Sequence, residues 1–230
     1  MFDASEYTLD VADVVALEQM IAADGTPLLE LMNNAGAALA QVVGRRDPQR
    51  VVVLAGSGNN GGDGWVAAEL LCARGCDVAV ATPRASEDLA AEPARTAALH
   101  ACAVAPGLRV ACSPSADELA GLLAGADVAV DALLGTGFSH DALREPLAGW
   151  VEALNAARGL HVVAADVPSG LSAQTGLAAE PHVVADETVT MMVRKPGLSS
   201  PAGLRACGTL QVASICDLAP YAVYVRAKAH

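Results

Sequence analysis

Lysine is nearly missing from this chain of 230 residues: only Lys195 and Lys228 occur. With a formal net charge of -12, the sequence gives no electrostatic footing for nucleic acid or for an anionic membrane surface. Aromatic residues are equally scarce, at 3%, so the core must be assembled from Val, Leu and Ala. None of the six cysteines (Cys72, Cys76, Cys102, Cys112, Cys207 and Cys216) stands in a CxxC pair. Their spacing, with that of the histidines, supports no metal site and suggests reduced thiols in a cytoplasmic protein. The opening residues, MFDASEYTLD, are acidic and lack the basic and apolar regions of a signal peptide. No apolar run approaches the ~20 residues that cross a bilayer.

What is present is apolar and rhythmic. The chain is 53% hydrophobic with a mean hydropathy of +0.38, enough to bury a sizeable core. Residues 8–25 and 26–46 show helical spacing, the second with Thr26 as N-cap and Pro27 at the first helical position. From there strand and helix alternate. Apolar β-type runs occupy 51–55, 77–82, 108–112, 127–131, 161–166, 187–193 and 209–215, with helical stretches at 63–74, 87–101, 115–124 and 145–158. Continuous rather than alternating apolar strands imply a sheet covered on both faces. The pattern predicts a three-layer α/β/α sandwich, Rossmann-like, with a mostly parallel sheet and an N-terminal helical extension. One domain is expected over 1–230: N-terminal helices at 1–48, the α/β core at 49–217, and a C-terminal tail at 218–230.

Ligands of open parallel sheets bind beyond the carboxyl ends of the strands, so the residues leaving each strand carry the functional reading. Strand 51–55 runs into GSGNNGGDG (56–64), strand 127–131 ends on Asp131 and enters ALLGTGFS, and strand 161–166 ends on Asp166 and enters VPSG. The exit from strand 77–82, PRASED, reads as an ordinary solvated turn. Gly56, Gly58 and Gly61 have dinucleotide-fingerprint spacing, which suits close approach of backbone N–H groups to a phosphate. The alternative without a ligand is a glycine-rich turn in which Asp63 caps the following helix. No Lys-Ser/Thr follows the last glycine, as an NTPase loop requires. The second strand ends on Ala81-Thr82, without the acid with which a dehydrogenase holds the ribose; Asp77 begins that strand instead.

GSGNNGGDG, DALLGTGFS and DVPSG, in this order and spacing, resemble the YjeF N-terminal domain family, the NAD(P)H-hydrate epimerases. LMNNAG (31–36), VTMMVRKPGL (189–198) and CGTLQV (207–212) resemble further motifs of that family, so the likeness runs from about residue 9 to 217. The resemblance implies epimerisation of the R and S forms of hydrated NADH or NADPH (NADHX, NADPHX), a step of nicotinamide-cofactor repair. It implies a separate ATP- or ADP-dependent NAD(P)HX dehydratase as functional partner, a homodimer, and one potassium ion per subunit with no further organic cofactor. Carried over by position, Asn59, Asn60, Gly61, Gly62 and Asp63 would line the substrate. So would Gly135, Thr136, Gly137, Phe138, Ser139, His140 and Asp141, together with Asp166. Asn60, Asp131 and Ser169 would hold the potassium; all three offer oxygen, as a hard cation requires. Asn33 departs from the family by replacing a glutamate.

Epimerisation needs the hydroxyl-bearing ring carbon to become planar and be re-formed, by loss of hydroxide or by ring opening. Either route needs a group that gives and takes a proton. Asp166, at the end of a central strand, is the first candidate, with Asp63 placed to raise its pKa by like-charge repulsion; hydrogen bonding to the ribose is its alternative role. Lys195 is the second candidate. Arg84 is a candidate for favouring the extra phosphate of NADPHX. Two competing readings are a non-catalytic scaffold or partner-binding module of the same fold, and an NAD-dependent oxidoreductase.

Overall fold

Each of the seven apolar runs forms a strand: β1 (Arg50–Ala55), β2 (Asp77–Thr82), β3 (Arg109–Cys112), β4 (Val128–Ala132), β5 (His161–Ala165), β6 (Glu187–Met191) and β7 (Thr209–Ala213). In the computed structural model, which describes residues 2–139 and 142–229, they form one sheet in the order β3-β2-β1-β4-β5-β6-β7. Every pairing is parallel, where a mostly parallel sheet was expected. The helices are α1 (Val11–Ala23), α2 (Leu28–Gly44), α3 (Asn59–Ala73), α4 (Ala94–Val104), α5 (Ala116–Leu123), α6 (Leu147–Ala156), α7 (Pro201–Ala206) and α8 (Ala222–Lys228).

Successive strand residues point to opposite faces, and the core divides accordingly. Val51, Val53, Val128 and Val130 pack with residues of α1 to α4, including the fully buried Trp65 of α3. Val52, Leu54 and Ala129 pack on the opposite face with Leu119 and Leu123 of α5 and Trp150 and Leu154 of α6. These are the three layers. Strands β1 to β3 are laid down in one direction and β4 to β7 in the other, so the switch point falls between β1 and β4.

Some expected boundaries move. The helix expected at 63–74 starts at Asn59, so Asp63 lies inside it rather than capping it. The helix expected at 87–101 starts at Ala94, after a short 3-10 turn at Ser86–Asp88 and Pro93. For α2, Pro27 takes the cap position and Leu28 is first. The C-terminal tail is largely helical: Val225 of α8 is fully buried against the core, Tyr224 Oη bonds to Asp13 and Lys228 Nζ lies 2.8 Å from Asp13 Oδ1 on α1. The N-terminal helices are likewise part of the core, α2 packing on α3 and β6.

Candidate active site

Strands β1, β4 and β5 are immediate neighbours, so the three glycine-bearing exits emerge side by side. The bareness of GSGNNGGDG follows from how closely these exits interlock. A Cβ on Gly56 would strike the carbonyl of Leu133, and one on Gly61 would strike the carbonyl of Gly56. Gly62 lies against Met32 of α2, where a Cβ would come within 2.5 Å of its sulfur. These glycines serve close approach at the β1 exit and in the first turn of α3, not an unusual backbone angle.

One hydrogen-bond network ties the corners together. Asn60 Nδ2 donates to the Leu134 carbonyl (3.0 Å), and the Leu134 N–H donates to Ser169 Oγ (2.9 Å). Ser169 in turn donates from Oγ to Asp131 Oδ1 (2.6 Å) and from its backbone N–H to Asp131 Oδ2 (2.7 Å). Asp131 is fully buried, and burial pushes its carboxyl up to about 6 against the opposing pull of the bonds from Ser169 and the Leu133 N–H. The family-derived metal set Asn60, Asp131 and Ser169 is therefore one connected group of oxygen-bearing side chains.

A second buried group lies next to it. Asp166 has φ +62°, and Met192 has φ +64°, a left-handed conformation that side-chain-bearing residues rarely hold. Oδ1 of Asp166 accepts from Lys195 Nζ (2.6 Å), Thr190 Oγ1 (3.1 Å) and the Met191 N–H (3.3 Å). Lys195, 1% exposed, also donates to Thr190 Oγ1 (2.9 Å) and the Met191 carbonyl (2.8 Å). All three ammonium donors are thereby used. Among the described residues, Asp166 Oδ2 accepts no hydrogen bond.

Both groups border a crevice of about 770 Å³, within the range usual for small-molecule sites. Asn59, Asn60, Asp63, Asp166 and Lys195 line it, as do Gly135, Thr136, Gly137 and Phe138. Asp131, Ser169, Gly61 and Gly62 are buried and do not line it, and neither does the exposed Ser139. His140 and Asp141 lie outside the described residues. Burial, and then the charges of Asp166 and Glu18, raise Asp63 well above the ordinary carboxylate range, with Lys195 pulling the other way. Asp166 is held by the Lys195 ammonium, whereas no cation is bonded to Asp63 among the described residues.

Glu18 of α1 lines the same crevice, and burial and then Asp166 raise its pKa. Its sequence signal is nil: it sits in an ordinary amphipathic helix far from any motif. Pro83, in the exit read as an ordinary turn, and Arg144 also line the crevice, whereas Arg84 and Asn33 do not. Asp77 lies at the opposite end of the sheet, ion-paired with Arg50 (3.3 Å) and Arg109 (2.8 Å).

The family profile described as YjeF-related protein N-terminus matches residues 28–197. The chain is 35% identical over 204 residues to the NAD(P)H-hydrate epimerase of Rhodopirellula baltica, covering 88% of this chain and 80% of that one. It is 40% identical over 195 residues to the bifunctional NAD(P)H-hydrate repair enzyme Nnr of Hyperthermus butylicus, covering 83% of this chain and 35% of that one. The chain thus spans about a third of the length of the bifunctional relative. The crystal structure of yeast ynu0 superposes with a TM-score of 0.70 at 27% identity, covering 84% of this chain and 83% of that one.

Proposed function

The chain belongs to the YjeF-related N-terminal family, and from that premise we propose that it is an isomerase, an NAD(P)H-hydrate epimerase that interconverts the R and S forms of hydrated NADH or NADPH. One observation carries the chemistry: a carboxylate, Asp166, locked through one oxygen by a buried lysine at the edge of a crevice, with no donor to its second oxygen among the described residues. A proton carrier must be held rigidly against its substrate to act, and it then contributes ~10²–10⁴-fold in rate. Asp166 is the proton carrier. Lys195 is assigned a positioning role, since its three N–H groups are already engaged.

The substrate's anionic diphosphate is assigned to the start of α3, where free N–H groups and the helix dipole favour negative charge. Asn59 and Asn60 stand there, and the Gly135–Phe138 segment forms the facing wall. Gly61 and Gly62 lie behind the helix start, against Gly56 and Met32. Ser139, with His140 and Asp141, is kept as the outer continuation of the same contact segment.

A potassium ion fits the Asn60, Asp131 and Ser169 group. A buried carboxyl raised to about 6 with no cationic side chain bonded to it calls for positive charge, and every donor present is oxygen. The ion would order the Leu134 corner; no proton transfer is routed through it. One domain over 1–230, a homodimer, a cytoplasmic location and a separate ATP- or ADP-dependent dehydratase complete the reading. No described helix is long and apolar enough to cross a membrane. The test is exchange between the NADHX epimers, followed by chiral chromatography or NMR, with the purified chain in potassium and in sodium buffer. Catalysed exchange above the spontaneous rate is expected; an unchanged rate rejects the assignment.

A further inference from the structure

Among the described residues, two carboxyl groups in the crevice have no hydrogen-bond or ion-pair partner. Neither Asp63 of α3 nor Glu18 of α1 accepts a hydrogen bond or joins an ion pair among the described residues. Asp166, by contrast, holds three donors on one oxygen. All three line the same crevice, and they reach it from different elements: α1, α3 and the exit of β5. The charges acting on Asp63 are Asp166, Glu18 and Lys195. Arg144 and Glu145 line the crevice from the segment after β4. Three carboxyl groups share one lysine, and that lysine is spent on Asp166. Like charges crowded in a half-buried crevice favour the protonated form on the member farthest from compensation.

The epimerisation proposed above needs two proton carriers. Oxygen leaves the ring carbon from one face and returns to the other, and one carboxyl on one wall cannot serve both events. We infer that Asp63 is a second catalytic residue, which acts on the ring hydroxyl from the α3 wall while Asp166 acts from the opposite side. In one direction the C–O bond breaks as the Asp63 proton passes to the departing oxygen, releasing water, and the ring-nitrogen lone pair forms C=N. Water then adds to the other face, the C=N electron pair returns to nitrogen, and the water's proton passes to Asp166. The reverse reaction exchanges the two roles, and between turnovers Asp166 gives its proton to solvent water while Asp63 takes one up, so atoms and electrons balance without a co-reactant. Glu18 acts through Asp63 as a positioning residue: its negative charge keeps the proton there.

The inference rests on the epimerase reading, and the test separates the two. Exchange is measured in both directions against pH for the wild-type protein, Asp63→Asn and Glu18→Gln, each checked by circular dichroism and thermal unfolding. Asp63→Asn is expected to lose ~10²–10⁴-fold in both directions. Glu18→Gln is expected to stay active, with the alkaline limb of its profile moved to lower pH, because removing a like charge lets Asp63 ionise sooner. Wild-type protein without catalysed exchange overturns the epimerase reading and this one with it. An active wild type with Asp63→Asn within a few-fold of it, or an alkaline limb unmoved in Glu18→Gln, overturns the second-carrier role alone.

Discussion

Lys195 Nζ lies 2.6 Å from Asp166 Oδ1, and the lysine is 1% exposed. The two come from different strand exits, Asp166 after β5 and Lys195 after β6, and the positive φ of Asp166 and Met192 turns each exit sharply enough to bring them together. The pair is both an anchor and a liability, because either charge alone is unpaired in a buried setting.

Lys195→Met is therefore expected to cost ~3–5 kcal/mol of stability, the usual penalty for breaking a buried pair from one side, and to abolish exchange. Adding Asp166→Asn should recover much of the stability and none of the activity. Urea unfolding of the wild type, both single variants and the double variant measures the coupling. A double variant as unstable as the sum of the singles contradicts the pairing.

Gly56→Ala and Gly61→Ala each drive a methyl into a backbone carbonyl, and overpacking of this kind costs ~1–3 kcal/mol or more. Gly58→Ala is the internal control, since Gly58 has φ -102° and nothing within 4 Å of its Cβ position. Thermal midpoints should fall for the first two and stay put for the third.

Potassium should raise the melting temperature of the wild-type protein more than sodium does. By mass action the gain reaches about 2.7 kcal/mol at a hundredfold excess over Kd. Ser169→Ala removes a donor to Asp131 and an acceptor for the Leu134 N–H, and should lose the difference between the two ions. Differential scanning calorimetry in matched chloride buffers checks it.

Truncation after Asp217 removes α8, and with it buried Val225 and the contacts of Tyr224 and Lys228 with Asp13. These hold the helix that carries Glu18. The truncated chain should melt lower, and its KM for the hydrated cofactor should rise more than its kcat falls. A change confined to melting temperature would show that α1 keeps its place without α8.

The architecture was legible in the residues because it rests on local rhythm. Seven β-type runs, the first five separated by helical periods, specify a covered parallel sheet whatever the fine packing, and glycine-rich exits from the first, fourth and fifth strands stand out against the Val and Ala around them. Boundaries within glycine-rich stretches were not legible. Nothing in the local propensity of Asn59-Asn60-Gly61-Gly62 favours a helix, and only the contacts with Gly56, Leu133 and Met32 make one there.

Sequence alone determined that three oxygen-rich corners would leave one end of the sheet, because alternation of strand and helix makes the strands parallel. Which groups meet between those corners was settled only by tertiary packing. Glu18 enters the crevice because Val14, Leu17 and Ile21 dock α1 into the core that it shares with β1 and β4, a placement that follows from packing and not from any motif. Lys195 spends its three donors on Asp166, Thr190 and Met191, and so leaves Asp63 without a cation. Charge interaction depends on distance through space and on burial, and neither quantity can be read along the chain.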